Sequence, residues 1–438
     1  MNKVKEQSAA NGKNFLMAIL GNLLPPVVSI VTAPILASSL GVEGRGEVAA
    51  ATAPLMLALA VSAFGIPEAT VNKIARYPES YQNIIKNSII LIIIAGVLGT
   101  CGVILSSGYL SGGNAATQHL IILATTALLP SLVIAVLRSA AMGLHLWKAV
   151  TLSRIFDAVI RLLSVALLAV AGELNIISAM AVISFSPVVS GIVLIPYLKS
   201  EKPTLERRRR KITKLSLIDF GLRLWVGGLS GVVLTRISQV LMVPLATSYD
   251  LGLYVVAVSL AEVPLVVNSA VREVIFSSES AESADERVGL ASRLSTGATL
   301  CIALAIGLTQ GYWLEPLFGE GFAEAANILL VLLAATVLGN PGSVAGAALS
   351  GRGRPGLRSI SLFVAATVNL LLVITLVPAM GAIGAAWATM VGNLIASNMN
   401  IIFLKTKFNL SPMLFYGLRP ISDGRIMLDF IKKIIKRN

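Results

Sequence analysis

Apolar positions in this chain come in long unbroken runs, not in the alternating or 3.6-residue patterns of a water-soluble fold. Residues 89–105, 120–137 and 360–377 each reach or approach the ~18 apolar residues of a membrane-crossing helix, with at most one charge apiece. A bilayer interior offers the backbone no water, so only helices and closed barrels can cross it. These runs are too long and too uniformly apolar for barrel strands, whose residues alternate. The same reading along the whole chain predicts helices near 15–40, 47–68, 87–106, 119–142, 154–171, 175–198, 224–246, 251–271, 291–310, 324–349, 359–377 and 380–404. The predicted fold is an all-α polytopic membrane protein with about twelve transmembrane helices.

Composition agrees, since 55% of the 438 residues are hydrophobic and 13% are charged, against roughly 25% charged in a soluble domain. The net charge of +13 raises the question of nucleic acid, and the placement of the cations answers it. Thirty-one of the 35 Lys and Arg fall in the two terminal segments and alternate loops, on one predicted side. The other side holds Arg45 alone, and Arg138, Arg161 and Arg236 fall inside spans. That asymmetry is the positive-inside pattern, and it predicts both termini in the cytoplasm and no nucleic-acid partner. Lys3, Lys5 and Lys13 precede an apolar stretch too long for a signal-peptide core, so it is read as the first span. Cys101 and Cys301, both in spans, have no metal-ligand or disulfide spacing, and His119 and His145 lie near span ends. No metal or cofactor is expected.

The polar stretch 199–214 divides the chain near its middle, and the flanking sequences repeat at an offset of about 207. Gly21 matches Gly228, Gly46 matches Gly252, Gly143 matches Gly351, and Ser178 matches Gly384. An even number of spans per repeat gives two parallel six-helix pseudo-repeats around a central cavity. The expected organisation is a six-helix bundle at 1–198, a basic linker at 199–223, a second bundle at 224–404 and a basic amphipathic tail at 405–438.

Two segments carry a family resemblance. SSLGVEGRGEVAAATAPLMLALAVSAFGIPEATVNKIAR resembles the first hairpin of the polysaccharide-biosynthesis (Wzx-like) flippases, and GLRLWVGGLSGVVLTRISQVLMVPLATSYDLGLYVVAVSLAE resembles the start of their second half. The family is related to the MATE drug exporters and the lipid II flippases. The resemblance covers roughly 14–405. It implies a transporter of the inner (cytoplasmic) membrane that flips a polyprenyl-diphosphate-linked oligosaccharide by alternating access, with polymerases or glycosyltransferases as partners. The chain departs from the pattern at Ser238, where relatives commonly carry an acidic residue two places after the Arg.

The charges inside the spans point to chemistry. Each costs about 2.5–3.5 kcal/mol at the centre of a span, so they are not expected on the lipid face. Arg236 lies near the midplane, Arg161 lies ~10 Å from its span end, and Arg138 is within reach of the headgroups. All three are Arg, and guanidinium stays charged and grips phosphate oxygens bidentately. With Arg45, read as part of the external turn GVEGRGE, they are the candidates for a diphosphate-binding cavity. Asp157 falls on one helix face with Arg154 and Arg161 and is expected to hold Arg161, while a structural ion pair with Glu262 is the alternative to a substrate role for Arg236. Either carboxylate could alternatively couple transport to H⁺ or Na⁺.

Pro25, Pro26 and Pro34 interrupt the first span, and Gly339-Asn340-Pro341-Gly342 the tenth. Pro25, Pro26 and Pro341 are read as hinge candidates, with packing kinks as the alternative. The Arg207–Arg210 run is read as topogenic, and the tail at 425–437 as lying on the membrane surface beside lipid headgroups. Three rivals remain. A membrane enzyme would need acid–base residues gathered at one face, and the external side is nearly bare of charge. A MATE-type exporter of organic cations would want acidic cavity residues. A lipid II flippase would share the diphosphate chemistry.

Overall fold

The computed structural model describes residues 2–200, 212–281 and 283–417, with side chains from 24 onward apart from 25, 26, 277 and 281. The Arg207–Arg210 run and the tail at 425–437 lie outside the described residues, as do the side chains of Pro25 and Pro26.

Fourteen α-helices and three short 3₁₀ turns are present among the described residues, and no strand. The first half comprises α1 (Asn2–Ala63), α2 (Ile66–Arg76), α3 (Tyr81–Leu110), α4 (Ala115–Thr125), α5 (Leu128–Gly143), α6 (Trp147–Val170), α7 (Ile176–Gly191) and α8 (Leu194–Ser200). The second comprises α9 (Lys214–Leu245), α10 (Ser248–Ala261), α11 (Leu265–Ala281), α12 (Asp285–Phe318), α13 (Ala325–Gly351) and α14 (Pro355–Phe408). Eight segments, or nine with the α10–α11 pair, are long and apolar enough to cross a membrane. Two further crossings are contained in α1 and α14, each of which folds back on itself at a glycine. Another is α6, which is long and apolar but carries Arg154, Asp157 and Arg161. The described helices thus form twelve rods, six in each half, in the predicted order.

The two fold-backs need glycine for a backbone reason. Gly41 has φ 68° and ψ −178°, and Gly381 has φ 57° and ψ −137°, regions costly for any residue with a Cβ. At Gly381 the Asp250 carboxylate fills the space a Cβ would take, and it accepts the Ala382 N–H at 3.1 Å. The reversal at Gly41 corrects the expected external turn. The chain is helical again from residue 42, so Arg45 sits one turn inside the second rod.

One end of the bundle carries the Lys- and Arg-rich loops, here the basic end; the other carries Gly41, Gly381 and the intervening tight turns. Both ends of the described chain reach the basic end. At the opposite end the halves meet backbone to backbone. A Cβ on Gly46 would strike the Ser248 carbonyl, and a Cβ on Gly252 the Val42 carbonyl. These are two of the matched repeat glycines. Toward the basic end the halves also touch: Phe64 stacks on Trp225 at 5.0 Å, Trp225 Nε1 donates to the Ala60 carbonyl at 2.9 Å, Gly65 meets Gly221 backbone to backbone, and Glu273 is within electrostatic reach of Arg154. Repeat-equivalent packing also appears within the halves. Gly143 lies against Val71 and Ile74, and Gly351 lies against Phe276 and Glu279.

Apolar side chains cover the outside of this bundle. Val170 is 90% exposed, Leu105 87% and Leu308 76%, as a lipid-facing surface requires and a water-facing one would not tolerate.

Three further details differ from the sequence reading. The eighth span bends by 52° at Glu262–Pro264, between α10 and α11. Conversely, α13 stays helical through Pro341. Beside it the Gly342 N–H is taken by Ser397 Oγ at 3.0 Å, and Asn340 donates to Ser295 and Thr296 of α12. Side-chain partners thus hold the neighbourhood where proline removes one ladder bond. Finally, the first residues of the presumed tail return to the bundle. Arg293, 4% exposed, donates to the Leu414 carbonyl at 2.7 Å, and Ser292 donates to that of Phe415.

Candidate functional site

The reversal at Gly41 presents Arg45, Ala49, Thr52 and Met56 along one face of the second rod. From α6, Arg161 faces the same space, because exposed Phe156, Val159 and Leu163 take the lipid side of that helix. Across the halves, Arg236 and Gln239 enter from α9, one turn apart, and Glu262 from the bend after α10. These groups line one cavity of about 140 Å³ at the interface of the halves. Its floor includes Ser29 from the first rod and Val258 and Ser259 from α10.

Three guanidinium groups therefore face one carboxylate. Arg45 and Arg161 are within electrostatic reach of one another, as are Arg161 and Arg236. Arg236 Nη1 donates to Gln239 Oε1 at 3.3 Å. None of the three forms an ion pair within 4 Å among the described residues. Glu262 is within reach of Arg236 through space only, and Asp157 of Arg161 likewise, so neither the expected Asp157–Arg161 pair nor the alternative Arg236–Glu262 pair is formed among the described residues. Arg45 Nε, Arg161 Nε and Asp157 Oδ1 are buried without a hydrogen-bond partner. Like charges held this close in a span interior raise one another's cost unless an anion or water answers them. The array is suited to an anion that several forked donors can grip at once.

Three of the four predicted arginines thus converge, together with Glu262. Arg138 does not line the cavity: its Nη2 donates to Ser153 Oγ of α6 at 3.1 Å, nearer the basic end, beside Arg154 and Asp157. Sequence reasoning missed Gln239, although its position one turn after Arg236 puts both on one face. It also missed Ser29, Thr52 and Ser259, small hydroxyls that carry no signal of their own.

A family model described as "Polysaccharide biosynthesis protein" matches residues 11–276. The chain belongs to that family. The match covers Arg45, Arg161, Arg236 and Glu262, the whole set of charges in the cavity. No curated protein matches. Among solved structures, an inward-facing multidrug-resistance MATE transporter of the MOP superfamily superposes with a TM-score of 0.71 at 17% identity, over 90% of this chain and 98% of that one. The lipid II flippase MurJ, in an inward closed conformation, gives 0.69 at 14% identity, over 97% and 99%. The MATE multidrug transporter DinF-BH gives 0.62 at 17%, over 92% and 95%. At these identities the likeness establishes the fold. The membership and the fold together are those of a multi-pass membrane transporter.

Proposed function

We propose that this member of the polysaccharide biosynthesis family flips a polyprenyl-diphosphate-linked oligosaccharide across the cytoplasmic membrane, by alternating access of its two halves. The observation that carries the reading is the convergence of Arg45, Arg161 and Arg236 on one inter-half cavity, with no ion pair to neutralise them among the described residues. A diphosphate entering a bilayer loses its hydration, and fixed guanidinium groups replace it at no further cost in reorganisation. The Gly46–Gly252 contact joins the halves at the opposite end, and substrate is taken to enter from the basic end, whose Lys and Arg favour the cytoplasm. Both termini are then cytoplasmic. Membrane lipids surround the apolar exterior while the polyprenyl tail stays among them.

Glu262 is the group proposed to couple transport to H⁺ or Na⁺, since it faces the cavity at the bend, within electrostatic reach of Arg236. A polymerase or glycosyltransferase would supply or consume the lipid-linked glycan. The second reading, cation export of the MATE type, is favoured by two of the structural likenesses. It is opposed by the cavity's charge, three cations against one anion, which repels an organic cation. Lipid II transport shares the diphosphate chemistry, and the glycan separates it from the first reading.

The test is flipping of a polyprenyl-diphosphate oligosaccharide in reconstituted vesicles, comparing wild type with Arg236→Ala and Arg236→Lys. Flipping by wild type, abolished by Ala and poorly restored by Lys, is the expected result. Wild-type vesicles that move no lipid-linked sugar but export organic cations would establish the second reading instead.

A further inference from the structure

A second polar cavity lies wholly within the C-terminal half. It measures about 310 Å³, at the lower end of the ~300–1,000 Å³ of small-molecule sites, and is walled by α9, α11, α13 and α14. Toward the basic end it continues into a hollow of about 290 Å³ that shares Arg272 and Arg358 with it. Neighbouring residues of α9 divide this space from the inter-half cavity: Thr235 lines the one and Arg236 the other.

Its chemistry is unlike that of a packing defect. Arg272 and Arg358 are within electrostatic reach of each other, and neither forms an ion pair or a hydrogen bond among the described residues. Glu273, the carboxylate beside Arg272, is also within reach of Arg154 on α6. Asn268 and Asn400 are 2% and 4% exposed. Each donates through its amide, to Ser343 Oγ at 3.2 Å and the Gly342 carbonyl at 3.0 Å. The carboxamide oxygens of both have no partner among the described residues. The walls therefore present forked cationic donors for an anionic oxygen and buried acceptors for hydroxyl donors. Gly346 shapes the site, since a Cβ there would lie 3.4 Å from Arg358 Cδ and Nε and 2.8 Å from Asn400 Nδ2.

We infer that this pocket binds an acidic sugar of the transported glycan, a hexose bearing a carboxylate or phosphoryl group. The inference rests on the proposed function for the meaning of that sugar. A carboxylate or phosphoryl group answers Arg272 and Arg358, and ring hydroxyls answer the Asn268 and Asn400 oxygens. Bare phosphate lacks the row of hydroxyl donors. Arg272 lies ten residues beyond Glu262, at most ~15 Å along the bent helix pair, the reach of a few sugar rings beyond a diphosphate.

The test uses the full chain in nanodiscs of neutral lipid, titrated calorimetrically with trigalacturonate and, in parallel, with neutral maltotriose. Saturable binding of the uronate, at least tenfold tighter than maltotriose, is expected. Arg272→Gln and Arg358→Gln each weaken it at least tenfold, and so does Gly346→Val, which displaces the Asn400 amide and crowds Arg358 while keeping both charges. Variants are compared only where elution volume and thermal unfolding match wild type, and three sites of attack keep the test open if one variant misfolds. Saturating inorganic pyrophosphate, the probe for the inter-half arginines, leaves the uronate affinity within twofold. Competition by pyrophosphate would merge the two sites and overturn this inference while leaving the proposed function intact. Equal displacement by inorganic phosphate, or loss of uronate binding in discs containing phosphatidylglycerol, would overturn it in favour of a simple anion or lipid-headgroup site. If wild-type vesicles move no lipid-linked sugar while Arg272→Gln still loses the uronate, the proposed function fails and the pocket stands.

Discussion

Among single residues, the arginines are not equivalent, and their partners rank them. Arg45, Arg161 and Arg236 face the cavity, whereas Arg138 is tied to Ser153. A hydrogen bond to a charged group contributes about 1.5–3 kcal/mol, roughly a ten- to hundredfold change in binding. Arg45→Ala and Arg161→Ala are each expected to weaken pyrophosphate binding by about that factor, measured by calorimetry on the purified chain. Arg138→Ala should change it less than threefold. An equal loss in all three variants would place Arg138 in the site after all. Glu262→Gln addresses coupling: flipping that responds to an imposed proton or sodium gradient in wild type should proceed in the variant without that response. A gradient response that survives the substitution would move the coupling role elsewhere.

Elements are shaped by backbone constraints that the residue pattern reveals unevenly. Gly41 and Gly381 both hold positive φ, yet they differ in what surrounds them. A Cβ at Gly41 meets nothing within 4 Å, so Gly41→Ala should cost only backbone strain, about 1–3 kcal/mol. Gly381→Ala adds a collision with the Asp250 carboxylate and should lower the melting temperature further. Because Asp250 also caps the Ala382 N–H, the double variant with Asp250→Ala should be less than additive, which a double-mutant cycle reads directly. The twelve rods and their order were legible because a bilayer demands long apolar runs, and no tertiary detail overrides that demand. The precise reversal in GVEGRGE was not legible, because three glycines within six residues can each turn the chain. Pro264 did offer a signal for the bend after α10, as proline removes a backbone donor, but an apolar run can absorb a proline, as α13 does at Pro341. Arg161 and Arg236 stood out because a charge in an apolar run is costly, whereas Arg45 was read in an external turn. The walls of the C-terminal pocket did not, since Asn, Ser and Thr scattered over four helices look no different from buried packing amides until the fold brings them together.

The molecule as a whole is closed at one end by a joint without side chains. Gly46→Val should wedge the halves apart there, because a Cβ at that position runs into the Ser248 carbonyl. A reporter cysteine at Ala49, which is 5% exposed and lines the cavity, makes this measurable once the exposed Cys101 and Cys301 are replaced by Ser. An impermeant maleimide applied from the Gly41 end should spare Ala49→Cys in the wild-type background and label it when Gly46→Val is added. Labelling that is the same in both backgrounds would mean that the glycine contact does not close this end. The crossing of Gly46 with Gly252 has a further consequence, in terms of ancestry and mutational tolerance. In a two-fold dimer of six-helix subunits, the corresponding glycine would lie against its own copy, and every substitution would strike both sides of the joint at once. Fusion into one chain separates those two blows. Each side of the seal can then drift alone, and an asymmetric ligand such as a glycan with one charged end can be met by two halves that no longer have to be alike.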